Sequence, residues 1–240
     1  MHTALYEALR NALEREEPVA TATIMNGSAA GAKLLIRADG ATIGTLHGSV
    51  PENEVVADAL AQLARAENGT RSYGETQVFI ETFGPPPTLL VVGAVHIAIP
   101  LVSYAKMLGF RTIVIDARGA FATEERFHHA DQLIHAWPDE VLPQFLTSNS
   151  FVVLLTHDPK LDDPALMVAL PSSARYVGAL GSPKTHAKRL ERLRSEGMAD
   201  HHLARLHAPI GLKIGGNTPE EIALSIMAEI VAAKHGLTGK

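Results

Sequence analysis

Thr88-Leu-Leu-Val-Val-Gly-Ala-Val-His-Ile-Ala98 is an apolar run that breaks at a glycine and continues into a helix-like segment. The five residues before Gly93 predict a strand buried on both faces, and Gly93 predicts a sharp turn. A second apolar run, Thr112–Ile115, closes on Asp116, 23 residues after Gly93. This order of elements is typical of a nucleotide-binding βαβ unit: a strand, a glycine turn, a helix, a second strand, and an acidic residue about 20 positions after the turn. We therefore predict such a unit, in which Asp116 binds ribose hydroxyls.

The glycine turn departs from the usual dinucleotide fingerprint at one position. The fingerprint requires Gly-x-Gly-x-x-Gly/Ala, and this chain has Val95 in place of the second glycine. That glycine lets the backbone approach a pyrophosphate closely, and the methyl groups of Val95 would obstruct it. The pattern therefore predicts the βαβ fold more strongly than dinucleotide binding in the familiar pose.

Composition limits the classes of function. The 240 residues are 46% hydrophobic and 20% charged, which is enough for one large or two modest domains. A net charge of −5 without a Lys/Arg block argues against nucleic-acid binding. No secretory leader or membrane span is recognisable, so we expect a cytoplasmic protein. The absence of cysteine excludes thiolate metal ligands and a cysteine nucleophile.

The chain divides at the extended segment Gly84–Pro87, which predicts a smaller N-terminal α+β domain (1–84) and a Rossmann-like α/β domain (85–240). An amphipathic helix is predicted over Met1–Glu17, and Asp39-Gly40 predicts a hairpin. Beyond the linker, strands alternate with helices, as in a parallel sheet covered on both faces. The predicted strands are Thr88–Val92, Thr112–Asp116, Gln132–His135, Phe151–Thr156 and Arg175–Gly178. The predicted helices are Ile97–Leu108, Asp139–Leu146, Asp163–Leu170, Pro183–Glu196 and Pro219–Lys234.

The candidate site follows from the expected strand order 3-2-1-4-5, in which the first and fourth strands end at one crevice. His96, His157 and Asp158 are candidate catalytic residues, because an imidazole and a carboxylate suit general acid/base chemistry. Helix capping or solvent exposure would also explain these residues. The loop ending in Lys184 suits a phosphate or carboxylate. We assign no metal to the His128-His129 and His201-His202 pairs. The candidate cofactor-binding residues are Gly93, Ala94, Val95, His96, Asp116, Arg118, Thr156, His157, Asp158, Gly181, Ser182 and Lys184.

Several motifs together resemble the XdhC/CoxI family of xanthine dehydrogenase accessory proteins. In the second domain they are Gly93–Ala98, Val114–Arg118, Leu154–Asp158, Arg175–Ser182, His207–Leu212 and Thr218–Ala223. In the first domain they are Gly27-Ser28, Gly31–Lys33, Arg37–Gly40 and Ile43–Thr45. The resemblance implies a chaperone that binds molybdenum cofactor (molybdopterin) and hands it to a molybdenum hydroxylase such as xanthine or carbon monoxide dehydrogenase. It also implies a homodimer.

Two enzymatic alternatives stay open beside the chaperone. The family usually has a Gly-Gly-Cys-Val-Glu type segment where this chain has His47–Glu52, so a cysteine-dependent step cannot occur here. One alternative is an NAD(P)-dependent oxidoreductase in which Asp116 binds ribose and His96 or His157 moves a proton. The other is a metal-dependent enzyme with ligands from His47, His96, His157 and Asp158.

Overall fold

The segment Gly84–Pro87 lies between two compact units of the chain. The computed structural model describes the backbone of residues 2–237 and the side chains of residues 4–237. Contacts between residues separate into two groups at a boundary between Pro85 and Pro86. Each unit has its own sheet and its own apolar core. Each unit therefore buries apolar surface independently.

The N-terminal unit consists of one antiparallel sheet and two helices. In chain order its elements are α1 (His2–Glu14), β1 (Val19–Ile24), β2 (Lys33–Arg37), β3 (Thr42–Gly44), α2 (Glu52–Arg65), β4 (Gly69–Tyr73) and β5 (Thr76–Phe83). The strands lie in the order β3-β2-β1-β5-β4, and every neighbouring pair is antiparallel. Of the predicted first helix, Met1 lies outside the described residues.

The residue types in each strand of the N-terminal unit explain which strands can be predicted from the sequence. The predicted hairpin is confirmed between β2 and β3. Gly40 adopts φ +85°, and Asp39 Oδ1 accepts a hydrogen bond of 2.9 Å from the Ala41 amide. The sequence does not predict strand β4, because Gly-Thr-Arg-Ser-Tyr has no apolar alternation. It lies at the edge of the sheet, where β5 is its one neighbouring strand among residues 2–237.

The C-terminal unit is a parallel sheet with interleaved helices. Its first elements are β6 (Thr88–Val92), α3 (Ala98–Met107), β7 (Arg111–Ile115), α4 (Glu124–Phe127), β8 (Gln132–Ile134) and α5 (Pro138–Val141), which continues as a 3-10 turn at Leu142–Gln144. The remaining elements are β9 (Ser150–Leu154), α6 (Pro159–Ala169), β10 (Tyr176–Ala179), α7 (Pro183–Ser195), α8 (Asp200–Leu203), β11 (Leu206–His207) and α9 (Pro219–Lys234).

The six strands lie in the order β11-β10-β9-β6-β7-β8. All neighbouring pairs are parallel. Numbered within this unit the order is 3-2-1-4-5-6, so the predicted Rossmann order is confirmed and extended by the two-residue strand β11. Strands β6 and β9 are direct neighbours, and Val92 pairs with Leu154 at their carboxyl ends. The turn after β6 and the loop after β9 therefore meet at one edge.

Alternate residues of β6 pack into separate apolar cores on the two faces of the sheet. Leu89 and Val91 belong to the core that contains residues of α3 and α9. Leu90 and Val92 belong to the core that contains residues of α6 and α7. This burial on both faces explains the unbroken apolar run with which the domain begins. Within residues 2–237, no helix combines the length and apolar character needed to cross a lipid bilayer.

Two helices have bounds that differ from those predicted from the sequence, one because of a capping residue and the other because of a proline. Helix α6 begins at Pro159 rather than Asp163, since Asp158 Oδ1 caps it by accepting a 3.0 Å bond from the Lys160 amide. The predicted helix Asp139–Leu146 becomes α5 and a 3-10 turn, because Pro143 cannot donate the next helical hydrogen bond. Helix α9 has its predicted bounds and the predicted capping box.

Candidate ligand-binding site

Gly93 brings the ends of β6 and β9 into contact. Its φ is +106°, and a Cβ atom added here would lie 2.5 Å from Thr156 Cγ2. The Gly93 amide donates to the Ile115 carbonyl at 2.9 Å, which also ties the turn to β7. The close approach of Thr156 therefore requires glycine at this position independently of any ligand. The two strand ends predicted to face each other do so.

Asp116, the predicted ribose-binding acid, is used by the protein itself. Its side chain is 1% exposed. Oδ2 accepts hydrogen bonds of 2.8 Å from the Ala94 amide and from Arg118 Nη2. Oδ1 accepts bonds of 2.9 Å from the Arg118 amide and Nε. Burial alone would raise the pKa of Asp116, but the bonds from Arg118 and Ala94 outweigh burial and lower that pKa.

The fingerprint turn therefore offers few free groups to a dinucleotide. Four hydrogen bonds fill the acceptor positions of the Asp116 carboxylate. The Ala94 amide is occupied by the same carboxylate, and Val95 is half-buried against an apolar core. His96 is exposed beside the turn. Arg118, one-third exposed, stacks on Phe121 with its guanidinium carbon 4.5 Å from the ring centroid.

A buried polar chain connects the end of β9 to α7. The Thr156 hydroxyl donates to Asp162 Oδ1, and Arg189 Nη2 donates to Asp162 Oδ2 at 3.0 Å. All three residues are at most 2% exposed. Burial raises the pKa of Asp162, although the bonds from Thr156 and Arg189 partly oppose this effect. The positive charge of Arg118 also interacts with Asp158 and Asp162, so the β7 and β9 sides of the edge are electrostatically coupled.

A positively charged cavity opens beside this chain of polar groups. Its volume is about 160 Å³, and it lies between the loop after β9 and the first turns of α7. Of the predicted site residues, His157 and Lys184 line the cavity. Ser182 caps α7 by accepting a 3.2 Å bond from the Thr185 amide. Gly181 precedes that cap with φ +146°. Asp158, predicted as a catalytic candidate, is the cap of α6.

Sequence reasoning missed four charged residues of the cavity. They are Asp162, Lys188, Arg189 and Arg192. A signal was present for two of them, because Lys184, Lys188 and Arg192 recur every four residues and therefore share one face of α7. No such signal exists for Arg189. In the sequence it is one of several basic residues of α7, and nothing in the pattern shows that it is buried against a carboxylate.

The metal-dependent hypothesis has no matching ligand cluster in the part of the chain that the structure describes. Among those residues, no three His, Asp or Glu side chains are grouped as metal ligands would be. His129 instead bonds through Nε2 to the Ile99 carbonyl at 3.1 Å and stacks on Phe127. In the N-terminal unit, His47 is exposed with φ +55°. The described side chains therefore give this hypothesis no support.

The loop His47–Glu52 is held by a carboxylate. Glu52 Oε1 accepts hydrogen bonds of 2.8 Å from the Thr45 hydroxyl and 2.6 Å from the Leu46 amide. Ser49 is exposed, whereas Val50 is buried. The loop that carries the cysteine-containing segment in the resembled family therefore has an ordered, thiol-free arrangement here.

A second polar cluster fixes the loop after β11. Glu229, 5% exposed, accepts bonds through Oε2 from the Tyr176 hydroxyl at 2.7 Å and from the Gly211 amide at 2.6 Å. His207 Nδ1 lies 3.2 Å from Glu229 Oε1, and its ring packs on Tyr176. Burial alone would raise the pKa of Glu229, but the bonds from His207, Tyr176 and Gly211 lower that pKa to about 2.

The strand order, the glycine turn and the strand-end cavity define a Rossmann-type protein with a positively charged edge and a separate antiparallel N-terminal unit. Both units match known family models. Residues 12–74 match the XdhC and CoxI family, and residues 89–230 match the XdhC Rossmann domain. The second match spans more than half of the chain. The chain belongs to the XdhC and CoxI family.

Curated relatives share about one-third of their aligned residues with this chain. Uncharacterized protein YqeB of Escherichia coli K12 is 32% identical over 225 residues, which cover 87% of this chain and 41% of YqeB. A probable xanthine dehydrogenase subunit of Bacillus subtilis 168 is 37% identical over 160 residues, covering 66% of this chain and 46% of that protein. The chain thus spans less than half the length of these relatives.

Two further comparisons concern a chaperone and a solved structure. The molybdenum cofactor insertion chaperone PaoD of E. coli K12 is 32% identical over 89 residues, which cover 37% of this chain and 28% of PaoD. The crystal structure of a xanthine dehydrogenase from Bacillus halodurans superposes with a TM-score of 0.57 at 22% identity. That superposition covers 97% of this chain and 96% of the other chain, and it supports the fold.

Proposed function

We propose that this protein is a cytoplasmic accessory protein that binds molybdenum cofactor and assists the maturation of a molybdenum hydroxylase. Family membership of both units supports an accessory role. Two relatives carry names that refer to xanthine dehydrogenase and to molybdenum cofactor insertion. The client would be a hydroxylase of the xanthine or carbon monoxide dehydrogenase type, as the family resemblance implies.

The observation that carries this proposal is the positively charged cavity at the strand-end edge. Molybdopterin is a pterin with an anionic phosphate, so its site requires cationic donors. Lys184, Lys188 and Arg189 line the cavity, and Arg189 has two buried donor atoms without an acceptor among the described residues. The donor set therefore fits the phosphate end of the cofactor. When bound, the cofactor supplies the molybdenum centre that the client enzyme uses in hydroxylation.

The residues of this chain would bind and release the cofactor without covalent chemistry on sulfur. No cysteine is present in the 240 residues, so no thiol of this chain can carry sulfur or ligate molybdenum. The available interactions are hydrogen bonds and charge attraction at the cavity. Such interactions allow transfer to a client by competition for the same anionic groups.

The nicotinamide-dependent alternative has less structural support. Its ribose-binding acid, Asp116, is saturated by Arg118 and two backbone amides. Its pyrophosphate turn has Val95 in place of glycine and an Ala94 amide that already has an acceptor. NAD(P) binding by this chain stays a prediction that calorimetry with NAD⁺ and NADP⁺ tests directly.

Co-expression with the cofactor synthesis pathway and a molybdenum hydroxylase tests the proposal. The protein is purified, its small molecules are released by denaturation, and the oxidised pterin is quantified by fluorescence after chromatography. We expect pterin in protein from synthesis-competent cells but not from cells blocked in synthesis, and co-purification of the hydroxylase. Protein that carries no pterin from competent cells refutes the proposal. Light scattering of the same preparation tests the proposed homodimer.

A further inference from the structure

Arg189 is a buried cation with unused hydrogen-bond donors. The residue is 2% exposed, and Nη2 alone makes the bonds seen for its guanidinium, to Asp162 at 3.0 Å and to the Leu180 carbonyl at 3.1 Å. Within the described residues, Nε and Nη1 have no acceptor although both atoms are buried. Buried donors of a charged group are nearly always satisfied in native proteins. Two donors of this guanidinium are therefore unsatisfied within the described residues, in a side chain that lines the cavity.

The position of Arg189 points to an anion as the acceptor for these donors. Arg189 lines the cavity together with Lys184 and Thr185 from the first turn of α7, a helix of 13 residues whose N-terminal dipole favours negative charge. Its Nη1 atom would lie 3.8 Å from a Cβ added at Gly181, so this donor faces the turn that leads into the helix. The Nη1 donor therefore lies beside the turn at the start of the helix, and the Arg189 side chain borders the cavity.

The balance of charge around the cavity is positive. Four cations line it: Lys184, Lys188, Arg189 and Arg192. Two carboxylates oppose them, because Asp162 pairs with Arg189 and Asp163 pairs with Arg192 through a 3.0 Å bond. Among the described residues, neither lysine has a carboxylate partner. A doubly charged anion would neutralise the excess, and a cation would be repelled.

We propose, on the basis of the proposed function, that this cavity is a phosphomonoester site in which Arg189, Lys184 and Lys188 bind the terminal phosphate of the ligand. The three exposed oxygens of a phosphate monoester match several donors that come from different directions, whereas a carboxylate has two oxygens in one plane. The cavity, of about 160 Å³, has room for a phosphate group.

Isothermal titration calorimetry with inorganic phosphate and phenyl phosphate tests this site without any molybdenum. Lys188→Gln removes an exposed charge and should weaken phosphate binding about fivefold, and Arg189→Lys keeps the charge but removes the free guanidinium donors and should weaken it about tenfold. Arg194→Gln is the matched control. It removes a cation from the same helix outside the cavity, where Arg194 pairs with the exposed Asp200 at 2.8 Å. Benzoate should bind more weakly than phenyl phosphate.

The outcomes separate this site from the proposed function. Equal phosphate affinity in wild type, Lys188→Gln and Arg189→Lys overturns the assignment, as does an equal loss in Arg194→Gln. If Arg189→Lys does not fold, the double variant Lys184→Gln/Lys188→Gln replaces it, since both lysines are exposed. Phosphate bound at this cavity without any co-purified pterin refutes the proposed function alone. Pterin bound equally by wild type and Lys188→Gln refutes the phosphate site alone.

Discussion

Replacing Glu229 by glutamine should make the stability of the C-terminal unit less dependent on pH. The ionised carboxylate accepts hydrogen bonds from Tyr176, Gly211 and His207 in a buried position. A glutamine side chain would keep one carbonyl acceptor, but it has no charge, and its amide donors would face other donors. The substitution preserves shape, so the expected effect is mainly electrostatic.

The magnitude follows from the shift in the Glu229 pKa. The pKa falls from 4.5 to about 2 on folding, which corresponds to about 3 kcal/mol of stability. Because the folded-state pKa is the lower one, this contribution is fully present above pH 4.5 and is lost as the pH falls through 2. At pH 3 about 1.5 kcal/mol should persist. Glu229→Gln should therefore destabilise the unit by about 3 kcal/mol at pH 7 and by about half of that at pH 3.

Urea unfolding monitored by tryptophan fluorescence measures this difference. The chain has one tryptophan, Trp137, which lies in the C-terminal unit and therefore reports on that unit. Glu220→Gln is the matched control, an exposed position on the same helix, and should change stability by less than about 0.5 kcal/mol at either pH. A loss for Glu229→Gln that is the same at pH 7 and pH 3 would refute the linkage argument. A loss below about 1 kcal/mol at pH 7 would refute the magnitude.

Three further substitutions test two glycine turns and the ion pair between Asp116 and Arg118. Gly93→Ala should destabilise by about 3 kcal/mol in thermal unfolding, because its Cβ would lie 2.5 Å from Thr156 Cγ2 at a φ of +106°. Gly109 has φ +77° and open space around it, so Gly109→Ala should lower the stability by only about 1 kcal/mol. Equal losses of stability in Gly93→Ala and Gly109→Ala would contradict the role given to the Thr156 contact. Asp116→Asn should destabilise by about 2 kcal/mol at pH 7, because an amide cannot accept all four hydrogen bonds that the buried carboxylate accepts. Its effect should diminish as the pH falls below the ordinary range of an aspartate, since the pKa of Asp116 is lowered on folding. An unchanged urea midpoint for Asp116→Asn at pH 7 would contradict this prediction.

Much of the fold could be predicted because its signals are local. The apolar run Thr88–Val92 is buried on both faces, and its composition expresses that burial directly. Helix α9 begins at a proline and carries a capping box, so its start is visible in the sequence. Strand β4 has a polar, mostly exposed sequence, and strand β11 has only two residues. Their strand character comes from pairing with neighbours, which no local pattern encodes.

The meeting of the β6 and β9 ends could be predicted, but the cavity between the β9 loop and α7 and its charged side chains could not. The strand order placed the ends of β6 and β9 together, as the structure confirms. The role expected for Asp116 depended on a spacing of about 20 residues, and that spacing cannot show that Arg118 occupies the carboxylate. The importance of Arg189 depends on its burial beside Asp162, a contact between residues 27 positions apart. Tertiary packing decides both cases.

Because Asp116 pairs with Arg118, this buried carboxylate needs no ligand to satisfy its hydrogen bonds. If a buried carboxylate depends on a ligand for its hydrogen bonds, release of the ligand leaves an unpaired buried charge, which destabilises the fold. Here four hydrogen bonds from the chain itself satisfy the Asp116 carboxylate. Under the proposed function, this arrangement would let the domain bind and release a ligand without leaving the Asp116 charge unpaired.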